Sequence, residues 1–153
     1  MTIDQFVNRA EEQLHPAVYR GAARRDADPF RLLLTHGNFL TGRYAFAILP
    51  WSAGMSGPVV LKTARAAVAR YLFSVPYLVQ TGLYLVVLGN QEQWRQPAQD
   101  ASVDLTSFHA TIVQAVHFVD LETRQQSFKS TQWGQKSFGK SAAVAAILAQ
   151  ALA

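Results

Sequence analysis

The residues with the most specific spacing for chemistry lie at positions 134–141, which read GQKSFGKS. This run matches the phosphate-loop pattern G-x-x-x-x-G-K-[ST]. In such a loop, backbone N–H groups surround an anion, a lysine reaches the outer phosphates and a hydroxyl binds magnesium. Gly139, Lys140 and Ser141 would supply these groups here. A strand is predicted before the run and a helix after it, so the local pattern is complete.

The wider context of this run argues against a nucleotide site. A phosphate loop normally leaves a buried parallel strand and leads into a βαβ crossover. Here the preceding residues 125–133 are mostly polar, and the 12 residues after Ser141 are too few for a crossover. Asp120 could imitate a magnesium ligand, but it ends the strand that should form a hairpin with residues 125–133. We interpret the match as coincidental, with an anion at the helix N-terminus as a weaker alternative.

A second candidate anion site is the loop that contains Gly54, Ser56 and Gly57. It joins a predicted buried strand to a helix starting at Pro58, and such loops often hold anions in α/β folds. The loop has neither the G-x-G-x-x-G spacing nor a lysine. It also misses the nucleophile-elbow pattern G-x-S-x-G, because Gly57 directly follows Ser56. A solvent-exposed connection is the competing interpretation.

Catalytic and metal-binding patterns are absent from the sequence. His109 and His117 share strand parity but lie roughly 26 Å apart along an extended chain, too far for one metal site. His117, with Thr111 on its face and Asp120 nearby, is a catalytic candidate, although a histidine on an apolar strand is more often a core residue. There is no cysteine, which excludes disulfides and thiolate ligands. We expect no metal and no cofactor, and we lean against an enzyme.

Composition limits the class of protein. The chain has 153 residues, which predicts one domain over 1–153. Half of the residues are apolar and only 16% are charged, against about a quarter in average domains, so the chain is not disordered. Low charge predicts apolar surface covered by a partner or a second copy. The N-terminus lacks a secretory pattern, and we expect a cytoplasmic protein.

Two further classes of partner can be weighed from the sequence. Arg20, Arg24 and Arg25 lie close together, and basic and aromatic residues alternate later in the chain. Those later residues are Phe128, Lys129, Trp133, Lys136 and Lys140. Such mixtures can bind nucleic acid, but a solvated face is the preferred interpretation. Residues 71–89 form an uncharged apolar run of nearly membrane-spanning length. Its interruption by Pro76 and by residues 80–82 favours strands, so we favour no membrane span.

Local patterns predict the order of elements. Thr2 and Gln5 form a capping box for a first helix, which should end before Pro16. A short helix is predicted over 30–35, starting at Asp28-Pro29, with a strand over 32–34 as the alternative. A strand over 43–49 and a helix from Pro58 follow.

The second half is predicted to contain most of the sheet. Strand residues are expected at 77–79 and 83–88, either as a hairpin turning at Thr81-Gly82 or as one strand with a bulge. A buried strand over 109–119 should turn at Asp120 into an exposed outer strand. A helix from Lys140 or Ser141 to Leu152 closes the chain.

These elements predict an α+β domain. Its sheet should be mixed or mainly antiparallel, with four to five strands and helices packed on one face. The leading functional hypothesis is a non-enzymatic, self-associating binding or accessory domain. The alternatives are an anion or nucleotide binder and a weak nucleic-acid binder.

Overall fold

The structure is a computed structural model that describes residues 1–15, 17–38, 42–76, 78–90, 92–93, 110–131 and 140–153. Within these residues there are three helices and six strands. The helices are α1 (Ile3–Leu14), α2 (Gly57–Leu72) and α3 (Lys140–Leu152). The strands are β1 (Ala23–Arg24), β2 (Leu32–Asn38), β3 (Gly42–Pro50), β4 (Thr81–Leu88), β5 (Thr111–Asp120) and β6 (Gln125–Ser130).

The six strands form one mixed sheet in the order β1 to β6. Strands β1, β2 and β3 pair antiparallel, β3, β4 and β5 pair parallel, and β6 pairs antiparallel with β5. The parallel pair of β3 and β4 requires a crossover, and α2 supplies it. The predicted α+β class with a mixed sheet is confirmed, although the sheet has six strands rather than four or five. The prediction of an exposed outer strand after Asp120 is also confirmed, by β6.

Helices cover both faces of the sheet, so the prediction that they pack on one face is wrong. Helix α2 packs on the face that carries Leu83 and Leu85. Helices α1 and α3 pack on the opposite face, against Tyr84 and Val86. The physical reason is that all eight residues of β4 are buried, so both of its faces must be covered.

The predicted short helix over residues 30–35 is also wrong, because this segment enters strand β2. Leu33 lies in the core under α2, whereas Leu32 and Leu34 lie in the core under α1 and α3. Consecutive leucines suit a strand that is buried on both faces, since neighbouring side chains point in opposite directions. Pairing with β3 over the length of β2 therefore decides the structure of this segment.

The predicted hairpin turn at Thr81-Gly82 is not formed, because these residues begin β4. The irregularity falls instead on the neighbouring strand. Leu83 pairs with Val113 and Tyr84 with Ala115, which leaves Gln114 as an extra residue in β5.

Three predictions from local chemistry are confirmed. Thr2 and Gln5 form the capping box, with the Gln5 backbone N–H donating to Thr2 Oγ1 at 3.2 Å. Helix α1 ends at Leu14, before Pro16. Asp120 Oδ1 accepts bonds from the backbone N–H groups of Glu122 at 2.9 Å and Thr123 at 3.1 Å, which fixes the turn into β6.

Two glycines allow backbone strain to be separated from steric collision. Gly37 and Gly54 both have positive φ, at 84° and 81°. A Cβ at Gly37 would collide with the carbonyl oxygen of Gly42, whereas one at Gly54 would meet nothing within 4 Å. We expect Gly54→Ala to lower the free energy of unfolding by about 1 kcal/mol, from backbone strain alone. Gly37→Ala should lower it clearly more in the same urea titration, and equal losses would contradict this account.

Candidate functional site

The predicted phosphate-loop residues fall at the start of α3. Lys140 and Ser141 are its first two residues. Gly139 and the rest of the run 134–139 lie outside the described residues. The strand that precedes the run, β6, is an outer strand paired antiparallel with β5. The parallel strand that normally feeds a phosphate loop is therefore not its neighbour, and anion binding here stays a prediction.

The second predicted anion site lies at the carboxyl end of β3, as expected. Gly54 takes the positive φ that the turn needs, Ser56 is the N-cap residue of α2 and Gly57 begins the helix. The Ser56 side chain makes no capping hydrogen bond. The backbone N–H of Met55 donates to the carbonyl of Ser52 at 3.1 Å, which closes the loop.

A cavity of about 510 Å³ adjoins this loop, and its charges nearly cancel. Arg25 and Arg31 line it together with Asp26 and Asp28. Arg25 is already held in an ion pair with Glu11. Equal numbers of positive and negative groups give little net attraction for an anion, so anion binding by Gly54, Ser56 and Gly57 stays a prediction without new support.

His117 lies in the core, on the sheet face covered by α1 and α3. It is fully buried, and its ring stacks on Phe128 with a centroid distance of 5.1 Å. Neither ring nitrogen has a hydrogen-bond partner among the described residues, and burial lowers the pKa of the imidazole to about 4. The ring is therefore neutral at physiological pH and sealed from solvent, which suits a core residue rather than a general base.

The described residues hold no cluster suited to metal binding. Among them, no group of three or more histidine, aspartate or glutamate side chains converges. Asp120 is tied into the turn after β5, and His15 Nε2 lies 2.9 Å from the carbonyl oxygen of Gly21. His109 lies outside the described residues.

The predicted nucleic-acid set is divided between opposite edges of the sheet. Arg24 belongs to β1 at one edge, with Arg20 just before it. Phe128 and Lys129 belong to β6 at the other edge. Four strands separate the two groups, so the structure does not bring them together. Trp133 and Lys136 lie outside the described residues.

Among the residues that the structure describes, the most exposed large apolar side chains lie between α2 and β4. Phe73 is 84% exposed and Leu78 is 78% exposed, with Val75 and Pro76 also exposed. We call Phe73, Val75, Pro76 and Leu78 the tip. It stands at the amino end of the parallel strands, where β4 begins. The sequence predicts strands within residues 71–89, but the described residues between Leu72 and Thr81 belong to no named strand. Pro76, which interrupts the apolar run, is the sequence signal for this break.

Backbone hydrogen bonds brace the described residues of the tip. Phe73 caps α2 in the left-handed region, with φ 49° and ψ 47°, and the backbone N–H of Ser74 donates to the carbonyl of Ala69 at 3.0 Å. The N–H and carbonyl groups of Val75 and Val79 exchange two bonds, each 2.9 Å. These bonds restrict the described backbone of the tip, which reduces the entropy lost on binding.

A hydroxyl pair and an arginine fix the base of the tip. Ser74 Oγ lies 2.8 Å from Thr81 Oγ1 on β4. Arg43 Nη2 donates to Ser74 Oγ at 3.4 Å, and desolvation lowers the pKa of Arg43. Arg70, one turn before the tip, donates to the carbonyl of Asp28 at 3.0 Å. Arg43 and Arg70 therefore place two positive charges beside the tip.

The fold and this surface define a protein of the α+β class with a mixed six-stranded sheet and an exposed apolar tip. No family model, curated protein or solved structure matches the chain. Within the part of the chain that the structure describes, no helix is both long and apolar enough to cross a membrane.

Proposed function

We propose that this protein is a non-catalytic binding domain that self-associates through the tip. Phe73 carries the proposal. A side chain other than glycine costs roughly 1–2 kcal/mol in the left-handed region, and the exposed phenyl ring recovers none of this by burial in the monomer. Glycine would serve the fold better at this position. A phenylalanine here is therefore best explained by a contact outside the monomer.

The size of the tip supports weak and reversible association. A standard protein interface uses about 20–30 residues on each side, and the tip offers far fewer. A second copy can present the same apolar side chains about a two-fold axis, which gives a self-complementary contact. Because Arg43 and Arg70 flank the tip in both copies, like charges would oppose each other across it.

The salt dependence follows from these like charges. Salt screens the repulsion between the two positive flanks, so association should strengthen as salt concentration rises. Binding of nucleic acid, the alternative partner, should weaken under the same change. The sign of the salt effect therefore separates the two functions.

We expect Phe73→Gly to weaken self-association while leaving the fold as stable or more stable, by up to about 1 kcal/mol. Sedimentation equilibrium over a wide concentration range, at low and high salt, measures the first effect. Urea denaturation measures the second. Leu78→Ser should weaken association in the same way, because it removes the other highly exposed side chain of the tip.

Val59→Ser is the matched control. Val59 is an exposed apolar residue of α2, the helix that leads into the tip, but it lies in the first turn of that helix, away from the tip. This variant should associate like the wild type. A wild type that stays monomeric at every concentration, or association that Phe73→Gly and Leu78→Ser leave unchanged, would refute the proposal.

An accessory role in the cytoplasm, which suits the cysteine-free composition, belongs to the same proposal.

A further inference from the structure

A groove runs along one side of α2, where the helix passes the start of β5. Its volume is about 490 Å³. The described residues that line it are two basic residues, three alanines and one threonine: Lys62, Arg65, Ala66, Ala69, Ala110 and Thr111. The helical members recur at intervals of three and four, so they share one side of α2. The groove uses other residues than the tip.

Thr111 places a hydroxyl without a partner in this groove. Its side chain is only 1% exposed, and its Oγ1 atom makes no hydrogen bond within the described part of the chain. A buried polar atom without a partner is unfavourable in a folded protein, and such atoms are rare. An oxygen atom of a bound ligand would satisfy this hydroxyl, which can both donate and accept.

The charged residues that line the described part of the groove are basic. Of the described residues that line it, Lys62 and Arg65 are the only ionisable ones, and α2 contains no acidic residue. On the same sheet face, Arg43 has a buried Nε atom that makes no hydrogen bond. This desolvated positive charge adds to the field at the amino end of the parallel strands. A negatively charged ligand would therefore be attracted to the groove.

The rest of the lining is apolar. Ala66, Ala69 and Ala110 present methyl groups between the charged residues and the threonine. A bare inorganic ion would leave these methyl groups uncovered, whereas a ligand with a short hydrocarbon part would bury them. The lining thus combines positive charge, one free hydroxyl and apolar surface, as in many sites for small organic ligands.

We propose that this groove binds a small organic anion with a carboxylate or phosphate group and a short apolar body. The exposed Lys62 attracts the negative group, and Arg65, which already has an interaction within the protein, adds positive charge beside it. Thr111 bonds to one oxygen atom of the ligand, and the alanines contact its apolar body. This site is independent of self-association through the tip, because neither Phe73 nor Leu78 lines it.

Titration calorimetry with acetate, butyrate, hexanoate and inorganic phosphate at neutral pH tests the site. Each methylene that leaves water fully raises affinity about fourfold, so hexanoate should bind at least about tenfold more tightly than acetate in this open groove. Inorganic phosphate should compete with hexanoate, because both use the same positive groups. Hexanol, which has the chain without the charge, should bind more weakly than hexanoate.

Three substitutions locate the binding. Lys62→Gln should lower the affinity for hexanoate by about fivefold or more. Thr111→Val keeps the shape of the side chain but removes the hydroxyl, and it should lower the affinity for hexanoate by about tenfold. Lys62 is exposed, so its replacement leaves folding intact even if Thr111→Val disturbs β5. Arg31→Gln, which removes a positive charge outside the groove, should bind hexanoate like the wild type.

Several results would overturn the inference. Absence of binding by every anion in the series would do so, as would equal affinity of acetate and hexanoate. Hexanoate binding that Lys62→Gln and Thr111→Val leave unchanged would place the site elsewhere. If Lys140→Gln abolished binding instead, the start of α3 would be the anion site.

Discussion

Acidification from pH 6.5 towards pH 4 should lower the free energy of unfolding of the wild type by about 3 kcal/mol more than that of His117→Leu. The cause is the buried imidazole, which has no hydrogen-bond partner in the described structure to stabilise its charged form. Burial favours the neutral ring and lowers its pKa from 6.5 to about 4 in the folded protein. The unfolded chain keeps the higher pKa.

The direction of the pH effect follows from which state binds the proton. Above pH 6.5 the ring is neutral in both states, and His117 adds no pH dependence. Between pH 6.5 and about 4 the unfolded chain binds a proton that the folded protein does not, so stability falls as pH falls. Below about pH 4 both states are protonated, and the loss stays constant.

Urea denaturation at a series of pH values measures this difference. At neutral pH, His117→Leu should be as stable as the wild type or more so, because two buried nitrogens without partners disappear. His15→Gln, at a partly buried histidine that contacts the Gly21 carbonyl, is the control and should keep the acid loss of the wild type. If His117→Leu lost as much stability in acid as the wild type, the buried histidine would not be its source.

Phe46→Ala should lower the free energy of unfolding by about 3–5 kcal/mol, whereas Phe73→Ala should change it by less than about 0.5 kcal/mol. Phe46 is fully buried at the centre of the sheet, with its ring centroid 5.7 Å from that of Tyr19. Truncation there leaves a cavity that the surrounding sheet cannot fill. Phe73 keeps its backbone strain as alanine and has little buried surface to lose.

This pair of variants separates a phenylalanine needed for folding from one available for binding. Both can be measured by urea denaturation at neutral pH, with sedimentation as the second readout. Phe73→Ala should weaken association without loss of stability, and Phe46→Ala should do the reverse. A large destabilisation by Phe73→Ala would show that its ring is packed in the monomer, and the proposed role of the tip would then fail.

The candidate functional features concentrate around α2 and the amino end of β3, β4 and β5. The tip follows the last turn of α2, and the groove lies along its side. Open α/β sheets usually bind ligands at the carboxyl ends of their strands. Here the cavity at that end carries both signs of charge, while the described residues that line the groove on α2 carry positive charge. The distribution of charge therefore favours binding of an anion in the groove on α2 over binding in the cavity at the carboxyl end of β3.

Local sequence determined the features that depend on residues within one turn of each other. The Thr2–Gln5 capping box, the turn at Asp120 and the apolar face of α3 were all predicted and are all present. The polar outer strand β6 was predicted as well. In each case the interacting groups lie close along the chain, so type and spacing are enough to specify the structure.

Tertiary structure alone decided which surfaces are covered. Leu32–Leu34 became a strand because β3 pairs with it, and the helices divide between two faces because β4 is buried on both. The exposure of Phe73 and the lone hydroxyl of Thr111 likewise depend on residues far away in the chain. Burial is set by such distant neighbours, which a local pattern does not contain. Local sequence therefore specified the capped helix α1, the apolar face of α3 and the turn at Asp120, whereas packing between distant elements determined β2, the tip and the groove.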